Sequence, residues 1–278
     1  PNLLKITKNI IIAPHGMLHQ NALKNSQLKK KLALFFYERR NIEKLSFFHV
    51  LDKKEEIHIK NTFPNIKSFL IPTGITIPPQ KEYNLQPSWL KKIQKNEKII
   101  LFLGRLEDQK SILELLNVWI DLKKETKNNK YWLFIAGFGT YSKIVEKLSL
   151  DLSNRIIYNG LTIGEEKEFI LHLSDGFVLP SKYEGVPVSI LEAVSHNCVC
   201  LISKECRYEK LRKMNSALEV HLEPKKMKQD LIRFMKFTDK EIKERTSIGM
   251  DYIRIEHNWG EIAKASAEYY KSILKEEI

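Results

Sequence analysis

Glu184 and Glu192 stand eight positions apart in the run Glu184-Gly185-Val186-Pro187-Val188-Ser189-Ile190-Leu191-Glu192. A Gly-x-Pro turn follows the first carboxylate, and an apolar helical run carries the second. Pro187 suits the first position of a helix, where its missing N–H removes no bond. Neither Gly185 nor Val186 offers a side-chain cap, so the N–H groups of the first turn are available to an anion. Carboxylates at both ends of a phosphate-sized gap fit a diphosphate flanked by hydroxyl-bearing groups, which is the make-up of a nucleotide sugar.

The elements that must hold these residues are legible from Lys98 onward. Ile99 to Leu103, Trp132 to Ala136, Ile156 to Tyr158, Gly176 to Leu179 and Val199 to Ile202 read as short apolar strands. Helical patterns over 111–124, 141–150 and 165–173, and the helix starting at Pro187, separate them. This alternation predicts right-handed βαβ units and a parallel sheet with helices on both faces. Ligands of such sheets bind at the carboxyl ends of the strands. Gly104-Arg105, Gly137-Phe138-Gly139, Asn159-Gly160 and Glu184-Gly185 all fall there. Beyond 205 the pattern is helical, near 225–237, 239–255 and 260–275.

Residues 1–77 repeat the theme more weakly. Ile10 to Ala13 reads as a strand ending in Pro14-His15-Gly16, a basic helix is predicted over 22–44, and Leu45 to Leu51 and Ser68 to Ile71 read as strands. Pro72, Pro78 and Pro79 mark an exposed linker. The expected division is 1–77, 78–255 and a final helix 256–278.

Composition narrows the partners. The chain has 278 residues, 43% apolar, with a net charge of +12. Residues 1–98 hold 18 Lys and Arg against 7 Asp and Glu, and the remainder is nearly balanced. That asymmetry predicts an anionic partner for the first third. The helix 22–44 mixes Lys24, Lys29, Lys30, Lys31, Arg39 and Arg40 with Leu32, Leu34, Phe35, Phe36 and Tyr37. It reads either as an ordinary amphipathic helix or as a patch for an anionic membrane surface. No nucleic-acid motif is present, so nucleic acid is not an expected partner. No apolar run is long enough for a membrane-spanning helix. The three cysteines, Cys198, Cys200 and Cys206, are clustered and odd in number, which fits buried thiols in a reducing cytoplasm. The histidines show no metal-ligand spacing.

The ordered set Gly104-Arg105 with Lys110, Ala136-Gly137-x-Gly139, and Pro180-Ser181-x-Tyr183-Glu184-Gly185 through Glu192-Ala193 resembles the donor half of glycosyltransferase family 4. The match is strong over 98–202 and extends to Pro14-His15-Gly16-Met17-Leu18, similar to a first-domain loop of bacterial polysaccharide members. The resemblance implies an α/β GT-B fold, two Rossmann-like domains facing across a cleft. It implies a retaining transferase that moves a sugar from a nucleotide-diphosphate sugar, UDP by default, to a saccharide or lipid-linked acceptor. The setting would be surface-polysaccharide assembly at the inner face of a bacterial membrane.

The roles implied agree with the chemistry of the residues. Arg105 and Lys110 would hold the pyrophosphate, one as a planar fork and one as a point charge. Gly185, Val186, Pro187 and Val188 would bring backbone to the phosphates. Glu192 would accept the ribose hydroxyls, and Glu184 would face the donor sugar. Gly104, Gly137, Gly139 and Leu161 would give close backbone approach to the nucleotide. His15 would sit beside the sugar and acceptor, able to move a proton near neutrality. With no Asp-x-Asp motif, no metal and no other cofactor are expected. The alternatives are a non-catalytic nucleotide-sugar-binding module and a GT-B sugar-nucleotide epimerase.

Several positions depart from the family pattern. Ser111 stands where Gly usually follows the lysine. Ser195-His196-Asn197 replaces an Ala-x-Gly turn, and Asn is expected to take the left-handed conformation such a helix end needs. The loop from Ser203 to Tyr208 lacks the usual Gly-rich segment. The stretch before residue 77 is about half of a full first domain, so an N-terminal portion is expected to be missing.

Overall fold

The computed structural model describes residues 10–15, 42, 47–79, 81–125 and 130–275. Of the basic helix expected over 22–44, only Ile42 falls among them, so that expectation lies outside the described residues. The chain forms two compact units, Pro1–Gly74 with Glu256–Ile278, and Ile75–Ile255.

The first unit has a parallel sheet of β1 (Ile11–Ile12), β2 (Phe47–Val50) and β3 (Lys67–Leu70), in that order. Alternation along β2 splits its side chains between two faces. Phe48 and Val50 pack with Ile59, Phe63 and Ile66 around α1 (Lys53–Thr62). Phe47 joins Phe69, Ile71, Ile262 and Ile273, so the final helix packs on the other face. Helix α1 escaped the sequence reading because its ten residues hold only two aliphatic ones, Ile57 and Ile59. Its start carries a signal nonetheless. Asp52 accepts from the Glu55 amide at 2.8 Å as the N-cap, and Glu55 accepts from the Leu51 amide just before it at 2.9 Å.

The second unit is built on six parallel strands: β4 (Lys98–Leu103), β5 (Tyr131–Ala136), β6 (Ile156–Tyr158), β7 (Gly176–Leu179), β8 (Val199–Ile202) and β9 (Ala217–Glu219). Intervening helices are α2 (Ile112–Glu125), α3 (Ser142–Leu150), α4 (Gly164–Leu173), α5 (Val188–Ser195) and α6 (Glu209–Lys213). Then come α7 (Pro224–Met235) and α8 (Asp239–Glu256), while α9 (Trp259–Lys275) belongs to the first unit. Strand β5 is buried at every position, as a strand covered on both faces must be. On α2 the buried side chains Ile112, Leu115, Leu116, Trp119 and Leu122 recur at helical spacing. Strand β9 was not expected: Ala217-Leu218-Glu219 lacks the β-branched and aromatic residues that marked the equally short β6.

The spatial order is β6-β5-β4-β7-β8-β9. The chain runs outward from β4 to β6, then returns to the other side of β4 and runs out again. The loops after β4 and β7 therefore diverge, and the crevice between them is the switch point where open parallel sheets bind ligands.

Candidate functional site

A pocket of about 400 Å³ opens at this switch point. Gly104, Arg105 and Lys110 line it from the loop after β4, and Gly137 and Phe138 from the loop after β5. Leu161 and Thr162 line it after β6, with Lys167 of α4. Pro187, Val188, Ser189 and Glu192 close it from α5.

Backbone bonds fix the loops to one another. Gly104 N–H donates to Ala136 O at 3.1 Å, Gly137 N–H to Gly160 O at 2.6 Å, and Leu106 N–H to Phe138 O at 2.9 Å. Gly137 has φ 142°, and a Cβ there would fall 1.9 Å from Gly104 O. Only glycine allows that approach. On the other flank, Lys182 N–H donates to Gln109 O at 2.8 Å, and the Gln109 amide donates to Tyr183 O at 2.8 Å. The loops after β4 and β7 are thus tied across the crevice.

Lys110 ends a single turn of 3₁₀ helix, Asp108–Lys110, and its side chain is buried. Its Nζ donates to Glu184 Oε1, which is itself 8% exposed. Ser111, at the next position, takes φ 50°. This explains why glycine suits that place: the chain turns through the left-handed region to enter α2. Arg105 is exposed at the rim.

Helix α5 begins one residue later than the sequence implied. Pro187 is the N-cap, with ψ 106°, and Val188 is the first helical residue. No side chain caps this end, and Val188 and Ser189, whose amides have no intrahelical partner, line the pocket. Glu192, one turn further, accepts from Lys167 Nζ at 2.8 Å. Asn197 has φ 60° at the helix end, as its type predicted.

Of the residues singled out from the sequence, Gly104, Arg105, Lys110, Gly137, Leu161, Pro187, Val188 and Glu192 line the pocket. Glu184 is brought to the site through Lys110 rather than as a wall. Gly139, Gly185 and Val186 do not line it. Gly139 is pressed against Leu106, where a Cβ would lie 2.6 Å from the carbonyl oxygen, and Val186 packs on the core. His15 follows β1 in the first unit, exposed, with φ 49°. Lys167 was missed. Its place in the first turn of the helix after the β6 loop, at the same sheet edge as the strand ends, was the available signal. The cysteines are free and buried, and burial pushes the Cys206 thiol up to about 11. Among the described residues no group of His, Cys, Asp and Glu could hold a metal ion, and no helix could cross a membrane.

With this geometry in hand, likeness to known proteins is informative. The family model described as glycosyl transferases group 1 matches residues 88–248, more than half the chain. An uncharacterized glycosyltransferase of Methanocaldococcus jannaschii, MJ1607, is 30% identical over 54% of this chain and 40% of its own length. The capsular polysaccharide biosynthesis glycosyltransferase CapH of Staphylococcus aureus is 31% identical over 49% of this chain and 39% of its own. The chain thus spans about two fifths of these relatives. Among solved structures, a TarM variant of S. aureus in complex with fondaparinux, α-GlcNAc-glycerol and UDP superposes with TM-score 0.65. It is 20% identical and matches 80% of this chain and 43% of its own, a likeness of fold. The fold class is GT-B, with Rossmann-like parallel sheets.

Proposed function

We propose that this chain, which belongs to the group 1 glycosyl transferase family, holds the donor site of a sugar transferase in the switch-point pocket of its second unit. The observation that carries the reading is the set of charged and donor groups in one pocket wall: Arg105, Lys110, the uncapped start of α5 and Glu192 all line it. A diphosphate fits the donors. The ribose hydroxyls fit the carboxylate.

The donor is a nucleotide-diphosphate sugar, with UDP the leading nucleotide. In transfer the bond from the sugar's anomeric carbon to the diphosphate oxygen breaks, and a bond to the acceptor oxygen forms on the same face. The departing diphosphate takes up the acceptor's proton. Arg105, Lys110 and the α5 amides stabilise the charge that gathers on the leaving group, without a metal. To reach it, Lys110 exchanges Glu184 for phosphate, which frees that carboxylate toward the sugar. Glu184 and, on the acceptor side, His15 are assigned to the chemistry by the family resemblance. The acceptor is a saccharide or a lipid-linked saccharide of bacterial polysaccharide assembly, supported by the likeness to CapH, with the basic segment 22–44 as the membrane-facing part.

Calorimetric titration with UDP, GDP and ADP in the presence of EDTA tests this reading. Micromolar binding of one of them is expected. Binding that needs a divalent metal would remove the metal-independent part, and no binding by any of the three would overturn the donor site.

A further inference from the structure

Three consecutive residues of one loop face three consecutive residues of another. Asp108 pairs with Lys182, Gln109 with Tyr183 and Lys110 with Glu184, each pair 74 positions apart. The single turn of 3₁₀ helix after β4 and the segment after β7 therefore run parallel and in register across the crevice, as three rungs.

The rungs differ in what can break them. In the first, Lys182 Nζ donates to Asp108 Oδ1 at 2.6 Å, and that aspartate is 72% exposed. Ion pairs so open to water hold little. The third, Lys110 to Glu184, is buried, but its lysine lines the pocket. An anion in the pocket competes with Glu184 for that ammonium, so this rung opens when a ligand is bound.

The second rung is exposed to neither weakness. Gln109 is half-buried and uncharged. Its side-chain amide donates to Tyr183 O at 2.8 Å, and its own carbonyl accepts from Lys182 N–H at 2.8 Å. Both bonds end on main chain of the β7 loop, so no change of rotamer there breaks them and no ligand charge displaces them. Gln109 Oε1 lies 3.5 Å from Arg105 Nη2, the outer limit of a hydrogen bond, so turning Arg105 to the pocket costs little.

We propose that Gln109 is a positioning residue: its side-chain amide holds the loop after β7, and Glu184 with it, in place while an anion engages Lys110. This rests on the donor-site reading for the exchange at Lys110, and adds to it the residue that keeps the released carboxylate at the crevice. An ionised carboxylate left buried without its lysine is drawn toward water. A loop that is not fastened follows it outward.

Amide hydrogen exchange over residues 181–186 reads the loop directly, with β5 as an internal reference. It is followed in the unaltered chain, in Gln109→Met, which removes the amide at similar length, and in Gln109→Glu, which keeps the shape without the donor. Each is measured alone and with saturating inorganic pyrophosphate. With pyrophosphate bound, both variants should exchange about threefold to tenfold faster over 181–186 than the unaltered chain, the span of one net hydrogen bond, with β5 unchanged. Equal protection of the three bound proteins refutes the role. A ligand-free arm separates this from the donor-site reading. In Lys110→Met/Glu184→Leu the third rung is absent, and adding Gln109→Met should speed exchange over 181–186 by a similar factor. If the unaltered chain binds neither pyrophosphate nor UDP, the donor-site reading falls, and this arm decides whether Gln109 holds the loop: no change on adding Gln109→Met refutes it.

Discussion

Lys110 and Glu184, 74 residues apart in sequence, are bonded to each other inside the crevice between β4 and β7, with both side chains buried. Both charges are largely shielded from water, although Lys110 also lines the pocket. Removing one partner leaves the other uncompensated, and that loss exceeds the net value of the pair. Lys110→Met should therefore destabilise the chain by about 3 kcal/mol. Adding Glu184→Leu to it should recover most of that loss. Urea unfolding of the single and double variants measures both.

Ser111 sits at φ 50° with its hydroxyl buried and, among the described residues, without a hydrogen-bond partner. Ser111→Gly removes the left-handed strain and the unsatisfied oxygen. Greater freedom of the unfolded chain offsets part of the gain. A net stabilisation of about 0.5 to 1 kcal/mol is expected, read as a higher denaturation midpoint with an unchanged slope.

Gly137 is the opposite case. Its φ of 142° and the Gly104 carbonyl leave no place for a methyl group. Gly137→Ala must push the β4 and β5 loops apart, at a cost of about 2 kcal/mol or more. Because those loops hold Arg105 and Phe138, nucleotide affinity should fall together with the melting temperature. A variant that melts lower yet binds UDP as the unaltered chain does would show that the loops do not shape the pocket.

Lys123 gives a pH signature. Burial, with Arg155 nearby, depresses its ammonium to about 8. Between that value and the ordinary lysine range the unfolded chain binds the extra proton, so stability rises with pH there, and below it the full penalty of the buried ammonium applies. Lys123→Met removes the penalty. The stability difference between Lys123→Met and the unaltered chain should shrink from pH 7 to pH 10, as followed by urea unfolding at each pH.

Much of the second unit was legible because a doubly covered parallel sheet writes itself as apolar runs that end in glycine-bearing loops. Ile99 to Leu103 and Trp132 to Ala136 left little choice of period, and Gly104 and Gly137 marked the strand ends. Pro187, after the Gly185-Val186 turn, placed a helix start at the site to within one residue. What the sequence hid were relations made by the fold. That Lys110 meets Glu184, and Lys167 meets Glu192, depends on loops from different strands coming to one edge. Helix α1 was hidden for a different reason. Its surface is mostly polar, so only the Asp52 to Glu55 cap betrayed it.

The central claim is that one nucleotide lies with its diphosphate at Arg105 and its ribose at Glu192. The most direct test is the UDP affinity of the unaltered chain beside Arg105→Ala and Glu192→Ala, with UMP as a second ligand. Micromolar UDP binding that Arg105→Ala and Glu192→Ala each weaken at least about tenfold is predicted. The Arg105 loss should be smaller for UMP, which lacks the β-phosphate, and the Glu192 loss should be the same for both. UDP binding that neither substitution alters would contradict the account, because the nucleotide would then lie elsewhere.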